Sequence, residues 1–356
     1  MQIVKTSQLK ERMVTASPVI AKNGRQIADR GVSLTGALIA RIAFYDIAQI
    51  EVEDAMVPQE GSLKEEPSYS KRVMDSPKFQ AFYETFFKLV PALKASLLSI
   101  SAGDQAPDTG ALYQMVEPLL QEAPTSIERF DFLHNMRKIE DSIYAHSLNV
   151  ALISDMLGMW LKLPRGEREL LVAAALLHDI GKTKLPPEVL DKPGMYTDEE
   201  LHLVRRHPAL GYEILLPCED LDPRVKNAAL MHHERCDGSG YPDGLKNADG
   251  FAQMIAIADV YDAMTAARPH RTPLCPFWVI ADFETDGLQK YNPKYLLTFL
   301  EHIAYTYQNN RVLLTDGRSA NIIMLNKQFL SLPIVNTDDG VIDLSKTPEL
   351  RIQALL

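Results

Sequence analysis

The stretch LLVAAALLHDIGK, residues 170–182, decides the fold. Its eight consecutive apolar residues, Leu170 to Leu177, are far too few to cross a bilayer but suit a central helix buried inside a helical bundle. The run ends in His178-Asp179, so an imidazole and a carboxylate are carried into a largely dry interior. An ionised aspartate there is costly without a partner, and one or two bound metal ions supply that partner. Gly181 is expected to stop the helix, as a residue free to take positive φ would.

Neighbouring segments carry the same ligand chemistry. His146 precedes the apolar stripe Val150, Ile153, Leu157 and Trp160, and His207 follows a segment opening on Thr197-Asp198-Glu199-Glu200, which matches a capping box. His232-His233 close the helical segment Val225–His233, and Asp259 lies within Phe251–Ala267. A lone helical histidine is ordinarily a surface or core residue, and His134, His202 and His302 are read that way. Five histidines and two aspartates on successive helices form a different pattern, one that holds two divalent metals side by side. A carboxylate can bridge adjacent ions where a neutral imidazole cannot, so Asp179 is assigned as the bridge. One ion then takes His146, His178 and Asp259, and the other takes His207, His232 and His233. Adjacent histidines diverge by about 100° on an ideal helix, so His232 and His233 can share an ion only at a bend or helix end.

The mixed nitrogen and oxygen ligand set suits iron first, with manganese, nickel or zinc as alternatives, and magnesium least. Two ions about 3.5–4 Å apart suit in-line displacement at phosphorus. Asp179 and Lys182 receive the catalytic assignment: the first fixes geometry, and the second offsets charge on the transferring group. Asp262, one turn beyond Asp259, is read as a supporting residue. Arg268 and Arg271 offer fork-shaped donors for a second phosphate or a base.

Composition narrows the partners. A formal net charge of -10 over 356 residues disfavours a nucleic-acid polymer or a membrane surface, while leaving room for a small anion held by local cations. Three cysteines without CxxC spacing, Cys218, Cys236 and Cys275, fit a reducing compartment. The opening MQIVKTSQLKERMV has no basic-then-apolar signal pattern, and a cytoplasmic protein without a membrane span is expected.

The fold class expected is mainly α. Residues 1–125 are read as an N-terminal regulatory domain with short β-like runs (Met13-Val14, Pro18–Ile20, Ile47–Val52), a short helix over Ser33–Ala40, a linker over Pro58–Pro67 and helices over 76–122. Residues 126–305 form the helical metal-binding domain, and 306–356 a β-rich extension packed on the core. The N-terminal domain offers a surface for a homodimer or a signalling partner.

With these residues assembled, the chain resembles the HD-GYP family, a branch of the HD-domain phosphohydrolases. The matching stretches are His178-Asp179-Ile180-Gly181-Lys182, His207 through Tyr212, and His232-His233-Glu234-Arg235 with the loop Asp237-Gly238-Ser239-Gly240-Tyr241-Pro242. Ala258 through Thr265 and Arg268-Pro269-His270-Arg271 complete them. The resemblance covers about residues 127–305 and implies an HD helical bundle that hydrolyses cyclic di-GMP to linear pGpG and, in some members, onward to GMP. It implies that Tyr241, Arg268 and Arg271 contact the nucleotide, and that the seven residues assigned above ligate metal. Ser142 stands where some members carry a glutamate that supports a third metal, so two metals are expected. His270 replaces a common tyrosine, and Gln253 a frequent arginine. Cyclic GMP-AMP as substrate, or a weakly catalytic or non-catalytic cyclic dinucleotide receptor, remain the alternatives.

Overall fold

The computed structural model describes residues 2–356 except 11–12, 21–25, 33, 35–37, 40–41, 43–46, 54–68, 137–141, 191, 193–195 and 266–273. The chain divides into two units, one of residues 70–306 and one combining residues 1–69 with 307–356.

The larger unit is helical. Its main elements are α1 (Tyr69–Met74, whose first residue belongs to the other unit), α2 (Pro77–Ala102), α3 (Thr109–Glu122), α4 (Ser126–Met136), α5 (Ile143–Trp160) and α6 (Arg165–Leu177). They continue with α7 (Asp198–Val204), α8 (His207–Leu215), α9 (Pro223–Met231), α10 (Gly250–Thr265), α11 (Pro276–Asp282) and α12 (Pro293–Thr306). The centre is α6, in which every residue from Leu171 to Leu177 is fully buried. It packs against α3, α5 and α9, and Ala173, Ala174 and Ala175 keep it slim enough for close neighbours. Each of its buried leucines contributes about 1.5–3 kcal/mol relative to exposure.

The helices α1, α2 and α3, all before residue 126, belong to this unit apart from Tyr69. α2 buries Phe79, Phe82, Phe86, Val90, Leu93, Leu97 and Ile100 along one face, and α3 packs on both α2 and α6. The expected boundary near residue 126 thus falls between two helices of one unit. α2 has the length and apolarity of a membrane span, but its apolar side forms this stripe while Glu84 and Lys88 pair on the exposed side. That distribution is the amphipathic pattern of a core helix.

A charged knot ties α4, α5 and α6. Asp155, fully buried, accepts from Arg129 Nη1 at 2.5 Å and from Arg168 Nε at 2.9 Å, and Arg129 Nε donates to the Ala123 carbonyl at 2.7 Å.

The smaller unit holds two antiparallel strand pairs and a sheet. β1 (Gln2–Lys5) pairs with β4 (Gln49–Val52), and β2 (Val19–Ile20) with β3 (Gln26–Ala28), over a core of Val19, Ile27, Leu34, Ile42, Ile50 and Val52. The tail forms β5 (Arg311–Leu314), β6 (Ser319–Met324), β7 (Ile334–Thr337), β8 (Gly340–Asp343) and β9 (Ile352–Leu355), in the antiparallel order β8-β7-β6-β5-β9. These strands group with residues 1–69. The linker expected at Pro58–Pro67 lies outside the described residues, as does most of the helix expected at Ser33–Ala40.

Removing the shared anion strands two guanidinium groups in the bundle. Asp155→Ala is therefore expected to destabilise the helical unit by about 3–5 kcal/mol in denaturant unfolding; a change below about 1 kcal/mol would show that the knot is dispensable.

Candidate metal centre

The helices bring their ligand-type side chains to one place. His178 caps the C-terminus of α6, and Asp179 leads into a 3₁₀ turn, Ile180–Lys184. That turn presses on the start of α8, where His207 is the first helical residue. Gly181 makes the approach possible. A Cβ at this position would lie 2.0 Å from the His207 carbonyl oxygen and 2.5 Å from the Gly211 nitrogen. Gly181 is not among the glycines with positive φ. The expected helix stop through a left-handed glycine is thus corrected: the residue is small because two backbones meet there.

The His232-His233 problem is solved at a helix end. α9 stops at Met231, His232 is its C-cap and His233 lies in the following turn. Both rings consequently face the site rather than diverging. His146 comes from the first turn of α5, just after the N-cap Ser142, whose hydroxyl accepts from the Ala145 N–H at 3.1 Å. Asp259 comes from α10.

Two groups result, His146 with His178 and Asp179, and His207 with His232 and His233, each with ligand-type atoms within 4.8 Å of one another. Asp179 faces both. Its Oδ2 lies 3.4 Å from His178 Nε2 and 3.8 Å from His146 Nε2, while Oδ1 lies 3.2 Å from His207 Nε2 and 3.7 Å from His232 Nε2. Asp259 also reaches both sides, with Oδ1 3.0 Å from His146 Nε2 and Oδ2 4.0 Å from His233 Nδ1.

Backbone hydrogen bonds orient the rings. Nδ1–H donates to a carbonyl in His178 (Ala175, 2.6 Å), His207 (Val204, 2.7 Å) and His232 (Ala228, 3.0 Å). In His146 the partner of Nδ1 is Asp262 Oδ2 at 2.7 Å, which gives Asp262 the supporting place expected of it. In His178, His207 and His232 the remaining Nε2 points inward with its lone pair, as metal-binding histidines require, while His146 Nε2 lies 3.0 Å from Asp259 Oδ1. Among the described residues, the buried His178 Nε2 and Asp179 Oδ1 have no hydrogen-bond partner. His207 Nε2 and His232 Nε2 meet at 3.2 Å, an approach of two acceptors that needs a proton or a metal cation between them. The donor set therefore fits a pair of divalent ions.

Electrostatics agree with that geometry. Burial opposes an ionised Asp179, but Lys182, His178 and His207 outweigh it and hold the carboxyl well below its ordinary range. Asp259 behaves likewise, through His146 and His233. Burial lowers His178, takes His232 further down with help from the neighbouring histidines, and brings His233 to about 3. Burial also disfavours charge on His146, yet hydrogen bonds to Asp259 and Asp262 prevail and raise it to about 9.

The residues expected to contact substrate are only partly among those described. Lys182 Nζ lies 2.5 Å from Asp179 Oδ2 and keeps some solvent exposure. Tyr241 stacks on His233, with ring centroids 4.6 Å apart at 20°. Its loop is held by a residue the sequence reading left unassigned, the buried Glu234. The Glu234 carboxylate accepts from the N–H groups of Asp243 at 2.8 Å and Leu245 at 2.9 Å. Gly240 lets the loop return, since a Cβ there would meet Arg235 N at 2.4 Å and the His233 carbonyl oxygen at 2.5 Å. Arg268 and Arg271 lie outside the described residues.

Two outcomes follow from this geometry. Gly181→Ala should force the 3₁₀ turn and α8 apart, removing His207 from Asp179. Bound metal, counted by elemental analysis, is expected to fall by at least half in the folded variant, and full occupancy would contradict the close approach. The second concerns pH in chelator-treated protein. His233, held near 3 against 6.5 when unfolded, supports the fold above pH 6.5 and loses that contribution as pH falls toward 3, a loss of about 2 kcal/mol by pH 5. His146, raised to about 9, contributes fully below pH 6.5 and loses its share as pH rises through 9. The melting temperature is expected to peak near pH 6.5, and Asp262→Asn should flatten the alkaline side; a profile level from pH 5 to 9 would contradict both assignments.

Comparison with known proteins meets this geometry. Residues 128–294 match the family model described as HD domain. A cyclic di-GMP phosphodiesterase of Pseudomonas aeruginosa is 38% identical over 169 residues, 47% of this chain and 41% of that protein. The cyclic di-GMP phosphodiesterase response regulator RpfG of Xanthomonas campestris is 43% identical over 123 residues, 34% of this chain and 32% of that one. The 3′3′-cGAMP-specific phosphodiesterase 2 of Vibrio cholerae is 34% identical over 161 residues, 44% of this chain and 31% of its own length. This chain thus spans well under half the length of these curated relatives. The HD-domain match over residues 128–294 and these relatives bear out, across that region, the resemblance to the HD-GYP family read from its motifs.

Proposed function

We propose that this protein is a metal-dependent phosphodiesterase acting on cyclic dinucleotides, with cyclic di-GMP as its substrate and linear pGpG as its product, in bacterial second-messenger signalling. One observation carries the reading: the two oxygens of a single buried carboxylate, Asp179, each face a separate group of metal-ligand side chains. A closed structural site needs no such sharing, whereas phosphodiester cleavage uses two neighbouring ions. The relatives named for cyclic di-GMP support the substrate.

His146, His178, Asp179 and Asp259 would hold one ion, and His207, His232 and His233, sharing Asp179, the other; iron is favoured by the mixed donor set, with manganese, nickel or zinc next. Bound ions of this kind supply Lewis acidity and an acidified water for in-line attack at phosphorus. The protein's own share is positional. Asp179 keeps the two groups in register, and its buried position excludes bulk water. Lys182, the cation beside Asp179 Oδ2, offsets negative charge building on the phosphoryl oxygens. Tyr241, packed on His233, offers an aromatic face beside the reacting group. Onward cleavage to GMP would use the same groups.

The Vibrio cholerae relative named for 3′3′-cGAMP supports that dinucleotide as the second reading. The test is incubation of iron- and manganese-loaded protein with cyclic di-GMP, 3′3′-cGAMP and cyclic di-AMP, with chromatography of the products. The highest kcat/KM is expected for cyclic di-GMP, with pGpG as the first product, and Asp179→Ala should abolish metal binding and turnover together. A metal-replete protein that cleaves none of the three would remove the phosphodiesterase reading and leave a receptor.

A further inference from the structure

We propose that Arg205 is a substrate-binding residue that grips the phosphodiester of a cyclic dinucleotide that is not being cleaved. This rests on the reading of the site as a cyclic dinucleotide phosphodiesterase and adds a residue to it.

Arg205 is the C-cap of α7, two residues before His207. Its guanidinium lies over the ring of Tyr241, 5.5 Å from the centroid, and Tyr241 in turn stacks on His233. Exposure rises along this series, from the nearly buried His233 side chain (18% exposed) through the half-buried Tyr241 to the exposed Arg205. The three rings and planes therefore lead outward from the His207 group to solvent.

Arg205 is also uncommitted. Arg129, Arg168 and Arg224 are clamped to carboxylates, but among the described residues no acceptor pairs with the guanidinium N–H groups of Arg205. A guanidinium lying on an aromatic face keeps its in-plane donors free for a bidentate contact. Phosphate matches that fork, and an ionic contact of this type is shorter and stronger than a neutral one. In a chain of net charge -10, a positive group left unpaired beside an anion-processing site has an anionic ligand as its natural complement.

A cyclic dinucleotide carries two phosphodiesters on one ring. With one of them between the histidine groups, the other must lie toward the mouth. Lys182 serves the reacting side, against Asp179. Arg205 stands on the Tyr241 side, where the second charge would otherwise go unmatched. Because the backbone is common to all cyclic dinucleotides, the contact adds affinity without choosing the base.

The test uses full-length, metal-loaded Arg205→Gln and Arg205→Lys. KM, or the inhibition constant for a ligand that is not turned over, is measured for cyclic di-GMP, 3′3′-cGAMP and cyclic di-AMP, with bis(p-nitrophenyl) phosphate as a single-phosphate comparison. Arg205→Gln is expected to raise the constants for all three dinucleotides about 10-fold to 100-fold, with kcat changed far less. The loss on the small diester should be at least about tenfold smaller, and the lysine variant should fall between, since a point charge replaces a fork. An increase that scales with the number of guanines would place Arg205 on the base and overturn the phosphate contact. Unchanged constants alongside a lower melting temperature would reduce Arg205 to a helix end and overturn it as well. Those two results presuppose wild-type protein that handles cyclic dinucleotides. Wild-type protein that cleaves the small diester but neither turns over nor binds any cyclic dinucleotide would overturn the substrate reading and this inference together.

Discussion

Everything at the site depends on a single carboxylate held where water cannot easily reach it. Asp179 follows the fully buried run Leu171–Leu177, and among the described residues Lys182 is the one lysine or arginine paired with it. Its two oxygens are divided between two groups of histidines. The arrangement asks three things of the fold: an apolar C-terminal half of α6 to carry the residue inward, a glycine to let α8 come close, and helix ends at which imidazoles can converge. Leu171–Leu177, Gly181 and the His178 and His232 caps meet these demands. The energetic asymmetry of buried charge explains why they occur together, since an unpartnered anion at this depth would cost more than most helical contacts return.

The loop after His233 is built with the same economy of contact. Glu234 leaves the ligand-bearing turn and reaches the backbone N–H groups of Asp243 and Leu245, while Gly240 allows the chain to pass directly against residues 233–235. Tyr241 is thereby placed on the face of His233. The two rings are stacked on one another, so displacement of either is felt by both.

Much of this was legible in the sequence, for identifiable reasons. Helices show themselves by period, and the stripe through Val150, Ile153, Leu157 and Trp160 and the capping box at Thr197 mark elements that the structure contains. Histidines at the ends of such segments signalled the site because ligand chemistry is confined to few residue types. Gly181 was legible as a special position but not as to why, because a close approach between distant backbones leaves no local pattern. The short strands β1, β3, β8 and β9 escaped notice, as three- or four-residue strands offer too few alternations to read. Glu234 and Arg205 were equally silent: a glutamate that clamps a loop and an arginine that lies over a tyrosine look like any surface charge until the fold places them.

Finally, the imidazoles of His146, His178, His207 and His232 are not supported alike. Three lean on main-chain oxygens of their own or the preceding turn, so substitution of a neighbouring side chain cannot retune them. His146 alone among these leans on a side chain, Asp262. Evolution can adjust the electron density of that one ring by a single codon change while the other three stay fixed, and the two halves of the centre are free to drift apart in their grip and in the order in which they fill.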